Sequence, residues 1–113
     1  MNIIFVCSQN KLRSPTAENI YQGYKNINVR SAGLNNDAEV RINCEDVKWA
    51  DIVFLMEQRH KNKLMKLFRN EIKNQKLIVL SIPDEYEYMD QELVEIIKRR
   101  VKKYLPVLTD QKI

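Results

Sequence analysis

Residues 3–6, Ile-Ile-Phe-Val, form an unbroken apolar run with no polar alternation. A strand with one wet face alternates; a run that does not is buried on both sides. Parallel strands joined by crossover helices have both faces covered in this way. Three further segments read as short strands: Asn28 to Ser31, Ile52 to Met56 and Leu77 to Leu80. Helical spacing fills the intervals. Residues 15–25 carry Ala17, Ile20, Tyr21 and Tyr24 at that spacing. Asn43 to Ala50 opens with Asn43 and Asp46 spaced like a cap pair. Residues 58–70 place Leu64, Leu67 and Phe68 on an inner stripe, and Trp49 reads as packing. Asp90 caps a last helix with Leu93, Ile97, Val101, Tyr104 and Leu105 inward, and Pro106 ends it. This alternation predicts an α/β fold, a four-stranded parallel sheet with helices on both faces and right-handed crossovers. With 113 residues, one domain over 1–113 is the natural expectation.

Ligands of such a sheet bind beyond the carboxyl ends of its strands. Four segments then share one edge: the residues after Cys7, residues 32–42, Glu57 to His60, and the loop from Ser81 to Met89. The first reads Cys7-Ser8-Gln9-Asn10-Lys11-Leu12-Arg13-Ser14-Pro15. A strand end fixes a sulfur, and the N–H groups that follow can curl round an anion. Arg13 offers a planar fork that matches phosphate oxygens two at a time. Ser14 as N-cap and Pro15 at the first helical position would aim a positive helix end at the same spot. Cations and helix ends favour the thiolate, the reactive form of cysteine. A lone cysteine at a strand end is otherwise a small buried hydrophobe; the arginine and Ser-Pro that follow point to phosphoryl chemistry.

The pattern Cys7-x-x-Asn10-x-x-Arg13-Ser14-Pro15-x-Ala17-Glu18 resembles the signature of the low-molecular-weight protein tyrosine phosphatases. Ser31-Ala32-Gly33, the strand at 52–56 and an aspartate after the fourth strand extend the likeness thinly along the chain. The resemblance implies that Cys7 attacks phosphorus and that Arg13 clamps the phosphoryl group. Ser8, Gln9, Asn10, Lys11, Leu12 and Ser14 would form the phosphate cradle, with Asn10 and Ser14 holding its shape. It also implies an aspartate as general acid. The order here is Pro83-Asp84-Glu85-Tyr86 rather than the family's Asp-Pro, and Asp84 is chosen over Asp90, which reads as a helix cap. Tyr86 and Tyr88 could wall the pocket against an aryl substrate. The chain departs from the family at Gln9, where glycine is usual, and at Leu12, where a second cysteine is common. It is also shorter, and its 34–42 loop lacks the family's aromatic-bearing segment.

The expected activity is a phosphomonoester hydrolase acting through a phosphocysteine, with phosphotyrosine in protein as the implied substrate. Phosphoserine stays open, because some phosphatases of the RNA polymerase tail carry a similar loop. An arsenate reductase shares the fold and loop, but normally relays oxidation through further cysteines; Cys44, on a predicted helix, reads as structural. A non-catalytic phosphate-binding module is the third reading. No Cys, His, Asp and Glu cluster has metal-ligand spacing, and Gly23 and Gly33 are too isolated for a nucleotide loop, so no cofactor is expected. His60, the only histidine, reads as a surface or supporting residue. The net charge is +4, part of it in Lys98, Arg99, Arg100, Lys102 and Lys103 at one helix end. That cluster complements the helix dipole, and without aromatic interleaving it does not read as a nucleic-acid surface. No apolar run is long enough to span a bilayer or to serve as a signal peptide, and two unpatterned cysteines fit a reducing cytoplasm.

Overall fold

In the computed structural model, residues 1–105 are described; Pro106, expected to stop the last helix, lies outside them. The strands are β1 (Asn2–Cys7), β2 (Asn28–Gly33), β3 (Ile52–Leu55) and β4 (Lys76–Val79). All pairings are parallel, in the order β2-β1-β3-β4. The helices are α1 (Arg13–Tyr21), α2 (Cys44–Trp49), α3 (Gln58–Leu67) and α4 (Gln91–Val101), the last tightening into a 3-10 turn at Lys102–Tyr104. The fold is thus the expected four-stranded parallel α/β sheet.

The unbroken apolar runs do cover both faces. Ile3, Phe5, Ile52 and Phe54 pack with Ala17, Ile20 and Tyr21 of α1 and with Leu93, Ile97 and Val101 of α4. Ile4, Val6, Val53 and Leu55 pack on the other side with Val47 of α2 and Leu64 of α3. Phe5 stacks on Tyr21 and on Phe54, at centroid distances of 5.7 and 5.0 Å, which ties α1 to the two central strands. Trp49 packs as expected and carries the Arg30 guanidinium 3.9 Å over its ring.

The caps divide into two kinds. Asn43 and Asp46 form the full reciprocal box at α2, and Asp90 accepts from the Glu92 N–H at α4. Ser14, by contrast, is not an N-cap: α1 begins earlier, at Arg13, after Leu12. Its hydroxyl is engaged inside the loop instead, with Cys7 and Asn10. Helix α1 also stops at Tyr21, short of the expected 25, and Tyr24 packs on the core from beyond its end. On α3 the buried stripe runs through His60 and Leu64 to half-buried Phe68, a spacing of four. Leu67 lies off that stripe and is 47 % exposed, so its expected inward position is corrected.

Candidate active site

Cys7 ends β1 in register with Gly33 at the end of β2. The chain then crosses the sheet edge and enters α1 at Arg13. A cavity of about 310 Å³ opens there, lined by Cys7, Ser8, Gln9, Lys11, Leu12, Arg13, Asn35, Arg59 and Asp84. The predicted nucleophile, clamp and acid therefore meet in one hollow. A larger hollow of about 480 Å³, lined by residues such as Lys48, Asp51, Lys73 and Gln75, lies where β3 and β4 begin and holds no cysteine.

The sulfur sits among donors. Cys7 Sγ accepts the Asn10 backbone N–H at 3.2 Å and lies 2.9 Å from Ser14 Oγ. Ser14 Oγ accepts from Asn10 Nδ2 at 2.9 Å, which leaves its own proton to donate to sulfur. The second Asn10 Nδ2 hydrogen goes to Ser31 Oγ at 2.9 Å, and Ser31 donates to Glu18 at 2.5 Å. Asn10 adopts φ 55, a left-handed conformation that asparagine tolerates better than most residues. Asn10 and Ser14 are buried beneath the loop and do not line the cavity. Their place is structural support for the sulfur and the bend.

Arg13 is 3 % exposed, and a buried guanidinium needs partners. Its Nη1 donates to Glu57 Oε2 at 2.5 Å and to the Ile82 carbonyl at 2.8 Å. Its Nε lies 3.8 Å from Asp84 Oδ1, too far for a hydrogen bond, so among the described residues the Nε–Nη2 edge of the fork is uncommitted. Glu57 also accepts from Arg59 Nε and Nη2, both at 3.1 Å. Those hydrogen bonds from Arg59, then those from Arg13, outweigh desolvation and hold the Glu57 carboxyl down at about 2. Glu57 is therefore ionised at any working pH and fixes two cations.

Other expectations fare differently. His60 is buried at 2 % exposure, not on the surface. Tyr86 packs on the core and Tyr88 is 50 % exposed; neither lines the cavity. Cys44 is exposed in the first turn of α2 and also lies outside the cavity lining. Glu57, Arg59 and Asn35 were not singled out from the sequence. Their only signal was position, since each follows a strand at the edge where ligands bind.

The family model for low molecular weight phosphotyrosine protein phosphatase matches residues 2–46, the stretch that holds the loop and the Ser31 support. The chain resembles that family. No curated protein sequence matches it. Among solved structures, a YwlE mutant from Bacillus subtilis is 27 % identical, with a TM-score of 0.70, 94 % of this chain covered and 99 % of that one. A YwlE arginine phosphatase C7S mutant with phosphorylated active site serine is 25 % identical, at TM-score 0.69 and 94 % and 96 % coverage. A low molecular weight phosphotyrosine phosphatase from Vibrio cholerae O395 shares the fold at TM-score 0.74 and 22 % identity, over 100 % and 99 % of the two chains. The likenesses in sequence over residues 2–46 and in fold over nearly the whole chain are thus to phosphatases. No described helix is long and apolar enough to cross a membrane.

Proposed function

We propose that the whole chain forms one phosphatase domain acting on phosphorylated protein side chains, phosphotyrosine first among them, with Cys7, Arg13 and Asp84 as its catalytic residues. The observation that carries this is the common cavity in which Cys7 Sγ, the uncommitted edge of Arg13 and the Asp84 carboxylate meet. The Cys7 thiolate attacks phosphorus, a sulfur–phosphorus bond forms, and the bond to the leaving oxygen breaks. Asp84 gives that oxygen its proton. Arg13 Nε and Nη2, with backbone N–H groups of the loop other than that of Asn10, which is given to sulfur, hold the equatorial oxygens as charge moves onto them. Asp84, now a carboxylate, takes a proton from water, which attacks phosphorus and releases phosphate. The Ser14 hydroxyl and the Asn10 N–H stabilise the departing thiolate.

A second reading, hydrolysis of phosphoarginine, is favoured by the likeness to YwlE at 25–27 % identity and by the rim of the cavity. Neither Tyr86 nor Tyr88 lines the cavity, so the described rim offers no aromatic wall for a phenol ring. The test is turnover of p-nitrophenyl phosphate in chelator, with and without orthovanadate, followed by phosphate release from matched phosphotyrosine, phosphoserine and phosphoarginine peptides. Chelator-resistant turnover abolished by vanadate is the expected result. Preference for the phosphoarginine peptide by more than ~100-fold in kcat/KM would replace tyrosine by arginine, since ~2.7 kcal/mol of transition-state binding is a specificity and not a tolerance. No hydrolysis of any of them would leave a phosphate-binding module.

A further inference from the structure

Ser8 and His60 form a contact that the steps above do not use. His60 occupies the first turn of α3, and its Nδ1 accepts the Glu57 backbone N–H at 3.1 Å. An N–H pointing at Nδ1 requires a lone pair there, so a neutral ring carries its proton on Nε2. Nε2 lies 2.9 Å from Ser8 Oγ. The ring is neutral: burial first, then the charges of Arg13 and Arg59, depress His60 to about 4 against the opposing pull of Glu57 and Asp84. Nε2–H therefore donates and Ser8 Oγ accepts. The Ser8 hydroxyl keeps its own proton, no other described residue accepts it, and Ser8 lines the cavity beside Cys7.

We propose that His60 is a positioning residue which, by donating Nε2–H to Ser8 Oγ, turns the Ser8 O–H onto a phosphoryl oxygen held above Cys7. This rests on the phosphatase reading and deepens it. Ser8 becomes a side-chain ligand of the phosphoryl group as well as part of the backbone cradle. The rival role for His60 is purely that of a cap for α3. The two roles use different ring nitrogens, so they separate.

His60→Asn keeps an acceptor where Nδ1 stood and loses the reach to Ser8. His60→Gln reaches Ser8 with an amide N–H and loses the cap acceptor. Ser8→Ala removes the hydroxyl. The readouts are kcat on p-nitrophenyl phosphate and the Kd of orthovanadate. Ser8→Ala and His60→Asn are each expected to lose roughly 10- to 100-fold in both, the range for a hydrogen bond to a charged group. On the Ser8→Ala background His60→Asn should add almost nothing, and His60→Gln should recover part of the loss. A full additional loss in the double variant, or wild-type behaviour of Ser8→Ala, overturns the proposal. If His60→Asn does not fold, imidazole ¹⁵N spectra of the wild type decide. A proton on Nε2 whose signal moves on adding vanadate supports the proposal, and a proton on Nδ1 sinks it. Should the wild type hydrolyse nothing, the phosphatase reading falls, and the vanadate affinities of the same variants still read the Ser8–His60 coupling.

Discussion

Of the three proposed reacting groups, Asp84 differs in being 61 % exposed, on a loop with no strand or helix of its own. Cys7 and Arg13 are buried and held by several partners each. A general acid matters in proportion to how badly the leaving group needs a proton, typically 10²–10⁴-fold. Asp84→Asn is therefore expected to slow phosphotyrosine hydrolysis within that range, and to slow aryl phosphates with acidic phenols much less. The same carboxylate serves the second step, so phosphocysteine should accumulate and be trapped by rapid acid quench. An equal loss over all leaving groups would mean that Asp84 only orders its loop. The loop of residues 7–13 was legible because its chemistry is local: nucleophile, bend and fork lie within one turn of chain. Glu57 was not, because its meaning comes from Arg13, to which it is joined only by folding. Ser14 was misread for a related reason. Serine before proline satisfies a helix N-terminus as readily as it satisfies a sulfur, and only the tertiary contact decides.

At the scale of elements, the ends of β1 and β2 determine the shape of the loop. Gly33 pairs with Cys7, and the two strands run so close that a Cβ on Gly33 would sit 2.7 Å from the Ser8 carbonyl oxygen and 2.9 Å from the Asn10 nitrogen. Both are backbone atoms of the phosphate cradle, and Ala38 Cβ closes the third side at 2.6 Å. None of these can yield as a flexible side chain would. Gly33→Ala is expected to cost about 1–3 kcal/mol of stability through overpacking. Because two of the three contacts are backbone atoms of the cradle, vanadate affinity should fall with it, by at least ~10-fold. A variant as stable as wild type that binds vanadate normally would show that the loop has slack. The sequence located Ser31-Ala32-Gly33 at this edge but not the reason for its glycine, which lies in the backbone of Ser8 and Asn10 and in the side chain of Ala38, brought there only by folding. The parallel sheet and its two buried faces were readable from unbroken apolar runs alternating with helices, but the strand order was not, since nothing local to a strand says which neighbour it pairs with. The inner stripe of α3 was not: Leu67 and Phe68 both follow Leu64 at helical spacing, and the choice between them depends on how α3 crosses the sheet.

Across the whole molecule, the cavity draws on residues 7–13, Asn35, Arg59 and Asp84, and on Glu57 and His60 behind them. Only the folded chain assembles these, so their protonation is linked to folding. His60 has an ordinary value of 6.5 and is depressed to about 4 in the fold. The folded state thus favours the neutral ring, while the unfolded chain binds the proton more tightly. Its contribution to stability is complete above pH 6.5, falls as the pH drops from 6.5 to 4, and changes no further below. Glu57, depressed from 4.5 to about 2, adds a second loss between those values, as the ion pairs with Arg59 and Arg13 are protonated away. The two windows barely overlap. The upper one corresponds to roughly 3 kcal/mol at about 1.4 kcal/mol per tenfold change in proton affinity, as an upper figure for a ring that is almost fully buried. Urea unfolding between pH 7 and 4 should show this decline, and His60→Asn, with no proton to take up, should flatten it while leaving the fall below pH 4.5. An unchanged slope in that variant would mean that His60 titrates freely, and that the ring is not held neutral between Glu57 and Ser8.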